Sequence, residues 1–172
     1  MTRYIALLRA VNVGGTGKLP MAELKAMCCD AGFDGVETYI ASGNVVFESE
    51  AAAAAVKSEI ERRLCAYAGK SVGVMLRTGP EMQAVLKANP FPKAASNHVY
   101  VFFLDERPPI DAVDHAAGIK DEEIQLGKRE IYVHYANGMG RSKLKIPATR
   151  SGTARNMNTV SALAEMTSKP RR

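Results

Sequence analysis

The chain has 172 residues, 47% of them apolar and 24% charged, the ordinary balance of a globular protein with one good core or two small ones. Its longest apolar runs, such as Tyr4–Leu8 and Val99–Leu104, are of strand length and exclude a membrane span of about 20 residues. The N-terminus carries no signal-peptide pattern, so the expected setting is the cytoplasm, with no membrane partner. The formal charge of +5 is unevenly placed. Residues 1–97 hold 11 basic and 9 acidic side chains (+2), residues 98–136 hold 4 and 8 (−4), and residues 137–172 hold 8 and 1 (+7). Only that last excess is large enough to point to an anionic partner.

Arg3 to Ala10 reads as a buried first strand, and Asn12 to Lys18 (NVGGTGK) breaks it with three glycines. Pro20 suits the first turn of a helix, whose inner face repeats at Met21, Leu24 and Met27/Cys28 and which stops at Gly32. Val36 to Ile40 is the second strand, Ser42-Gly43-Asn44 a tight connection, and Val45 to Phe47 the start of the third. A helix from about Glu50 to Ala68 carries Val56, Ile60 and Leu64 at helical spacing, Gly69 ends it, and Val72 to Leu76 is the fourth strand. The order βαββαβ is that of a ferredoxin-like plait.

Thr78-Gly79-Pro80 leads into a short helix, Glu81 to Ala88, which Asn89-Pro90-Phe91-Pro92 stops. The domain boundary is expected there, giving residues 1–94 and 95–172. His98 to Leu104 is a central strand, and a short helix is expected after Pro108-Pro109, ending by Gly118. Glu123–Leu126 and Arg129–Tyr135 form a hairpin across Gly127-Lys128. Ser142 to Ile146 is a short helix or extended arm, and Asn156 to Met166 the last helix, with Ser151 or Thr153 as its cap. The fold class is therefore α+β: two small α/β plaits, the second smaller and less regular.

No nucleotide-triphosphate loop is present. Gly14 and Gly17 stand too close, and Leu19 takes the hydroxyl position after Lys18. A weaker anion site remains open at Asn12, Gly14, Gly15 and Lys18, where exposed N–H groups would lie near a helix start. Arg9, a cation at the end of an apolar strand, needs an internal partner such as Glu23 or Glu37, or a ligand anion. Ser42 and Asn44 suit a turn or a recognition loop. The basic stretch offers Arg141, Ser142, Lys143, Lys145, Arg150, Thr153, Arg155, Asn156 and Thr159. Arg155 would oppose the dipole of the expected last helix unless an anion or an acidic neighbour offsets it. Three dispersed histidines and three cysteines, two of them adjacent, form neither a metal motif nor a disulfide framework, so no metal and no cofactor are expected.

The segment ALLRAVNVGGTGKLPMAELKAMCCDAGFDGVETYIASGNVVF resembles the opening of the bacterial domain of unknown function 1697, and SKLKIP with TARNMNTVSALAEM resembles that family's second signature. The resemblance implies two plait-like α/β parts. Its shared positions are Arg9, Asn12, Gly14, Gly15, Lys18, Pro20, Ser42, Gly43 and Asn44, then Ser142, Lys143, Thr153, Arg155, Asn156 and Thr159. An aromatic often follows the family's Arg-Asn pair, where this chain has Met157. The resemblance brings no activity, substrate or cofactor.

Two functional readings follow. One is a phosphate- or anion-binding module, nominally for nucleic acid, carried by the basic C-terminal segment. The RNP pattern of an RNA-recognition sheet is absent. The other is a small-molecule enzyme or sensor holding an anionic ligand, such as a phosphorylated metabolite, in a cleft between the halves. No nucleophile or general base identifies a reaction. A purely structural role for the polar loops is the third option.

Overall fold

The computed structural model describes residues 1–10 and 18–170, and the chain divides into two compact units, Met1–Met82 with Leu163–Arg172, and Gln83–Ala162. Residue 94, the expected boundary, lies inside the second unit.

The first unit runs β1 (Thr2–Leu8), α1 (Met21–Asp30), β2 (Asp34–Tyr39), β3 (Asn44–Ser49), α2 (Ala53–Ala68) and β4 (Val74–Thr78). Its sheet has the order β2-β3-β1-β4 with every pair antiparallel, the ferredoxin-like plait. Strand alternation sends Tyr4, Ala6 and Leu8 to the helical face, where they meet Val45, Phe47, Val74 and Leu76. Leu24 and Cys28 from α1, and Val56, Ile60 and Leu64 from α2, close this core. Phe33 stacks on Phe47 with ring centroids 4.5 Å apart. Ile5, Leu7, Met75 and Arg77 point to the other face and are buried too, which is why β1 reads as an unbroken apolar run.

Local chemistry sets the ends. Gly69 adopts φ +73° and donates its N–H to Cys65 O at 2.9 Å, a left-handed cap that closes α2. α3 (Gly79–Lys87) opens on a capping box: Thr78 N–H donates to Glu81 Oε1 at 2.8 Å, and Glu81 N–H to Thr78 Oγ1 at 3.3 Å.

The second sheet comprises β5 (Val99–Phe103), β6 (Glu123–Leu126), β7 (Glu130–His134) and β8 (Thr153–Asn156), in the order β6-β7-β5-β8, again antiparallel throughout. This is the first sheet's order repeated. The crossovers differ. The helix expected between Pro109 and Gly118 does not form, and residues 104–122 run irregularly, with turns over residues 110–115 and a single bridge at Ala117. The segment after Ser142 is extended, and it bridges the first crossover through Ala117 N–H to Lys145 O at 2.9 Å and Lys145 N–H to Ala117 O at 2.8 Å. A two-stranded bridge uses the backbone groups that a helix would turn inward, and Pro108-Pro109 supplies no donors. Tyr100, Phe102, Ile131, Val133 and Tyr135 face these crossovers together with Leu104, Ala112, Leu144 and Ile146.

The last helix, α4, is Met157–Ser168. The preceding residues, expected to be its capped start, form β8 instead, too short to show a period of its own. The cap is Asn156, whose Oδ1 accepts the Thr159 N–H at 3.0 Å, in place of Ser151 or Thr153. In the first unit, Arg3 pairs with Glu48 (Nη2 to Oε1, 2.9 Å) and donates Nη1 to Thr167 O at 2.7 Å, fixing a cation at the C-terminal carbonyls of α4.

Candidate functional site

In the first unit, Asn12, Gly14 and Gly15 lie outside the described residues. Arg9 lies just past β1 and is exposed, its N–H donating to Gly73 O at 2.9 Å. Ala10 then turns the chain at φ +54°. Lys18 is exposed and lines a depression of about 310 Å³ with Tyr67, Lys70 and the apolar Leu19 and Leu64. Asn44 is fully buried, and its Nδ2 donates to Tyr39 O at 2.8 Å and Ser42 Oγ at 2.9 Å. Its amide thus holds the turn between β2 and β3, a use that leaves it no exposed face for a ligand.

The basic stretch of the second unit sorts into two groups. Thr153, Arg155 and Thr159 are buried. Arg155 lies opposite Val101 on β8 and donates Nη1 to Thr153 Oγ1 at 2.7 Å and to Ala154 O at 2.9 Å. Burial pushes its pKa down to about 10, which still leaves it cationic at neutral pH. Arg155 lies on a strand, one residue before the cap of α4. Asn156 is engaged as the helix cap.

Arg141, Lys143, Lys145 and Arg150 are exposed, while Ile146 is buried and Leu144 packs half-buried against the core. The extended backbone produces this: successive side chains point to opposite sides, so the apolar pair anchors the arm and the lysines face solvent. Ser142 Oγ donates to Glu122 Oε1 at 2.6 Å and accepts the Leu144 N–H at 3.1 Å. The backbone N–H of Lys120 also reaches Glu122, at 2.7 Å. These bonds, with Lys120 first and Ser142 second, hold the Glu122 carboxyl below its ordinary range. The Ser142–Glu122 pair thus fastens two crossovers to each other.

Two depressions flank the arm. One, of about 410 Å³, is polar and of mixed charge, lined by Lys120, Asp121, Glu122, Asn137, Arg141, Ser142 and Lys143. The other, of about 320 Å³, has Phe102, Tyr135, Met139, Leu144, Ile146 and Pro147 for walls, with Lys145, Thr149 and Arg150 beside them. Sequence reasoning named the cations but missed Glu122 and the aromatic walls, which reach the arm only through the fold. It also missed Arg77, buried on β4 with Nη1 donating to Leu76 O at 2.9 Å. Among the described residues no group of His, Cys, Asp or Glu is arranged to hold a metal ion, and no helix is long and apolar enough to cross a membrane.

Residues 1–132 match the family described as Protein of unknown function (DUF1697). The chain belongs to that family. A solved structure, that of the conserved bacterial protein SP0830 from Streptococcus pneumoniae, is similar to this DUF1697 chain at 28% identity with a TM-score of 0.81, covering 96% of this chain and 98% of its own. No curated protein matches.

Proposed function

We propose that this DUF1697 protein is an anion-binding module whose partner carries phosphates, with nucleic acid the first choice, and that it works in the cytoplasm. The observation that carries the reading is the alternation along the arm, which turns Lys143 and Lys145 outward while Ile146 is buried. Lys143 and Lys145 stand on the extended backbone, with Arg141 on the short 3-10 turn before it and Arg150 closing the one after it. Charges spread along a line suit a polyanion better than one small anion, because each neutralises a separate phosphate and releases its counterion. The cytoplasmic setting is supported by three free thiols, Cys28, Cys29 and Cys65.

The test is binding of labelled RNA, single-stranded DNA and duplex DNA across a salt series. Affinity should fall steeply between about 50 and 200 mM salt, and replacing Arg141, Lys143 and Lys145 by Gln together should lower the slope for single strands by about 2. A shallow slope, or one the triple variant leaves unchanged, overturns the proposal.

A second reading, a phosphorylated small molecule, is favoured by the polar cavity at Lys120, Arg141 and Lys143. Asp121 and Glu122 in the same wall oppose an anion there, so this reading stands second. Saturable binding of a phosphorylated metabolite, lost in Arg141→Gln and only shallowly dependent on salt, would reverse the order.

A further inference from the structure

The depression on the other side of the arm differs from the polar cavity in composition. Its walls are rings and aliphatic side chains, and among the described residues that line it there is no carboxylate. Phe102, on β5, is only partly buried, because an irregular crossover covers this sheet face less completely than a helix would. Tyr135 stands edge-on to Tyr100 at 5.6 Å and 89°, which fixes its ring. Lys145 and Arg150 are both exposed at this groove. At about 320 Å³ it lies at the small end of ligand sites, which run from about 300 to 1,000 Å³.

An apolar wall with aromatic rings beside two cations fits an aromatic base attached to phosphate. A base inside a duplex cannot present its face to Phe102, whereas an unstacked one can. We infer that this groove seats one base of a single strand, with the flanking phosphates against Lys145 and Arg150. The inference rests on the anion-binding reading above and adds a preference that charge alone does not produce. Phosphate contacts by themselves favour the denser charge of a duplex; stacking reverses that order.

The experiment uses the full chain and an oligonucleotide carrying 2-aminopurine, whose fluorescence falls on stacking, as single strand and as duplex. Quenching is expected in the single strand. Phe102→Leu, which keeps apolar bulk but removes the ring, should weaken single-strand binding about tenfold and leave duplex binding within about twofold. Should that variant melt early, Met139→Glu serves instead: it places a carboxylate at an exposed wall position and should weaken single-strand binding by a similar factor. Nucleoside monophosphates form a separate arm. Millimolar binding by them with the same Phe102 dependence, and none by oligonucleotides, would keep the base-plus-phosphate chemistry and overturn the single strand as its source. Salt-dependent binding unchanged by both variants would overturn the groove alone. Absence of binding to every nucleic acid and nucleotide would overturn both this inference and the reading it rests on.

Discussion

The two units share one sheet order and close it in different ways. In the first, two helices lay continuous apolar stripes over the sheet, and their packing supplies the core. In the second, the same face is covered by two irregular crossovers joined by the Ala117–Lys145 bridge and by Ser142 bonded to Glu122. A helix satisfies its own backbone, so it can be laid on a sheet as a unit. An irregular crossover must find partners for each N–H and C=O, and it does so through single close approaches. Two glycines of the second unit mark such approaches: a Cβ at Gly118 would stand 2.2 Å from Lys143 O, and one at Gly152 2.4 Å from Phe103 O, whereas Gly32, Gly35 and Gly69 of the first unit, like Gly138 and Gly140 of the second, face open space. The looser cover also leaves aromatic surface and exposed cations beside each other in the second unit.

One feature recurs despite this. Each sheet buries an arginine on its fourth strand, Arg77 opposite Ile5 and Arg155 opposite Val101, each donating Nη1 to the carbonyl of the preceding residue at 2.9 Å. The shared position argues that Arg155 belongs to the architecture of its plait rather than to the exposed surface of the arm.

The contrast breaks most readily at the glycines. Gly118→Ala should cost about 3 kcal/mol, since backbone blocks the new methyl and φ is +74°, while Gly69→Ala, strained only in φ, should cost about 1 kcal/mol. Equal midpoint shifts in urea denaturation would show that the crossovers are no more tightly joined than a helix end. Next come the leucines. Leu64→Ala in α2, at 1% exposure, should lose about 3 kcal/mol, and Leu144→Ala in the half-buried arm nearer 1 kcal/mol. If Leu144 costs as much as Leu64, the arm packs like a helix and the open groove beside it loses its rationale.

Smaller effects sharpen the comparison. Asn156→Ala removes the cap of α4 and should cost about 1 kcal/mol, with Asn156→Asp restoring most of it. The same denaturation series checks both variants. Acid should act on both units with the same sign. Glu59 is held at about 2 by hydrogen bonds from Arg62 and then Arg63. A carboxyl depressed on folding contributes stability that is fully present above its unfolded value of about 4.3 and is lost as pH falls toward the folded one. Glu122 is depressed too, so its bonds to Lys120 and Ser142 should weaken as pH falls below the ordinary carboxylate range. Glu59→Gln should lose its small disadvantage between pH 4.5 and 2. Hydrogen exchange should report the second unit, the Leu144 amide opening in acid in the native chain and at every pH in Glu122→Gln. An exchange rate for that amide independent of pH after correction for intrinsic rates would remove Glu122 from the stitching.

The plait of the first unit was legible because each element carries its own period. Val56, Ile60 and Leu64 repeat at helical spacing, and the strands between are bounded by Gly32, Gly43 and Gly69. The hairpin of the second unit was legible for the same reason; the cations of the arm were legible as composition, while helix or extended arm for Ser142 to Ile146 stayed open until the bridge to Ala117 decided it. What only the tertiary structure decided has no local period. β8 is four residues long and exists because β5 offers an edge to pair with. Asn156 ends that strand and caps the next helix, a double use that neither propensity expresses. Ser142 meets Glu122 across 20 positions, and Phe102 reaches the arm from a strand far earlier in the chain. Sequence determines what each segment can bury. Which partner it buries against depends on chain closure over long separations, and the groove and its cations are products of that closure.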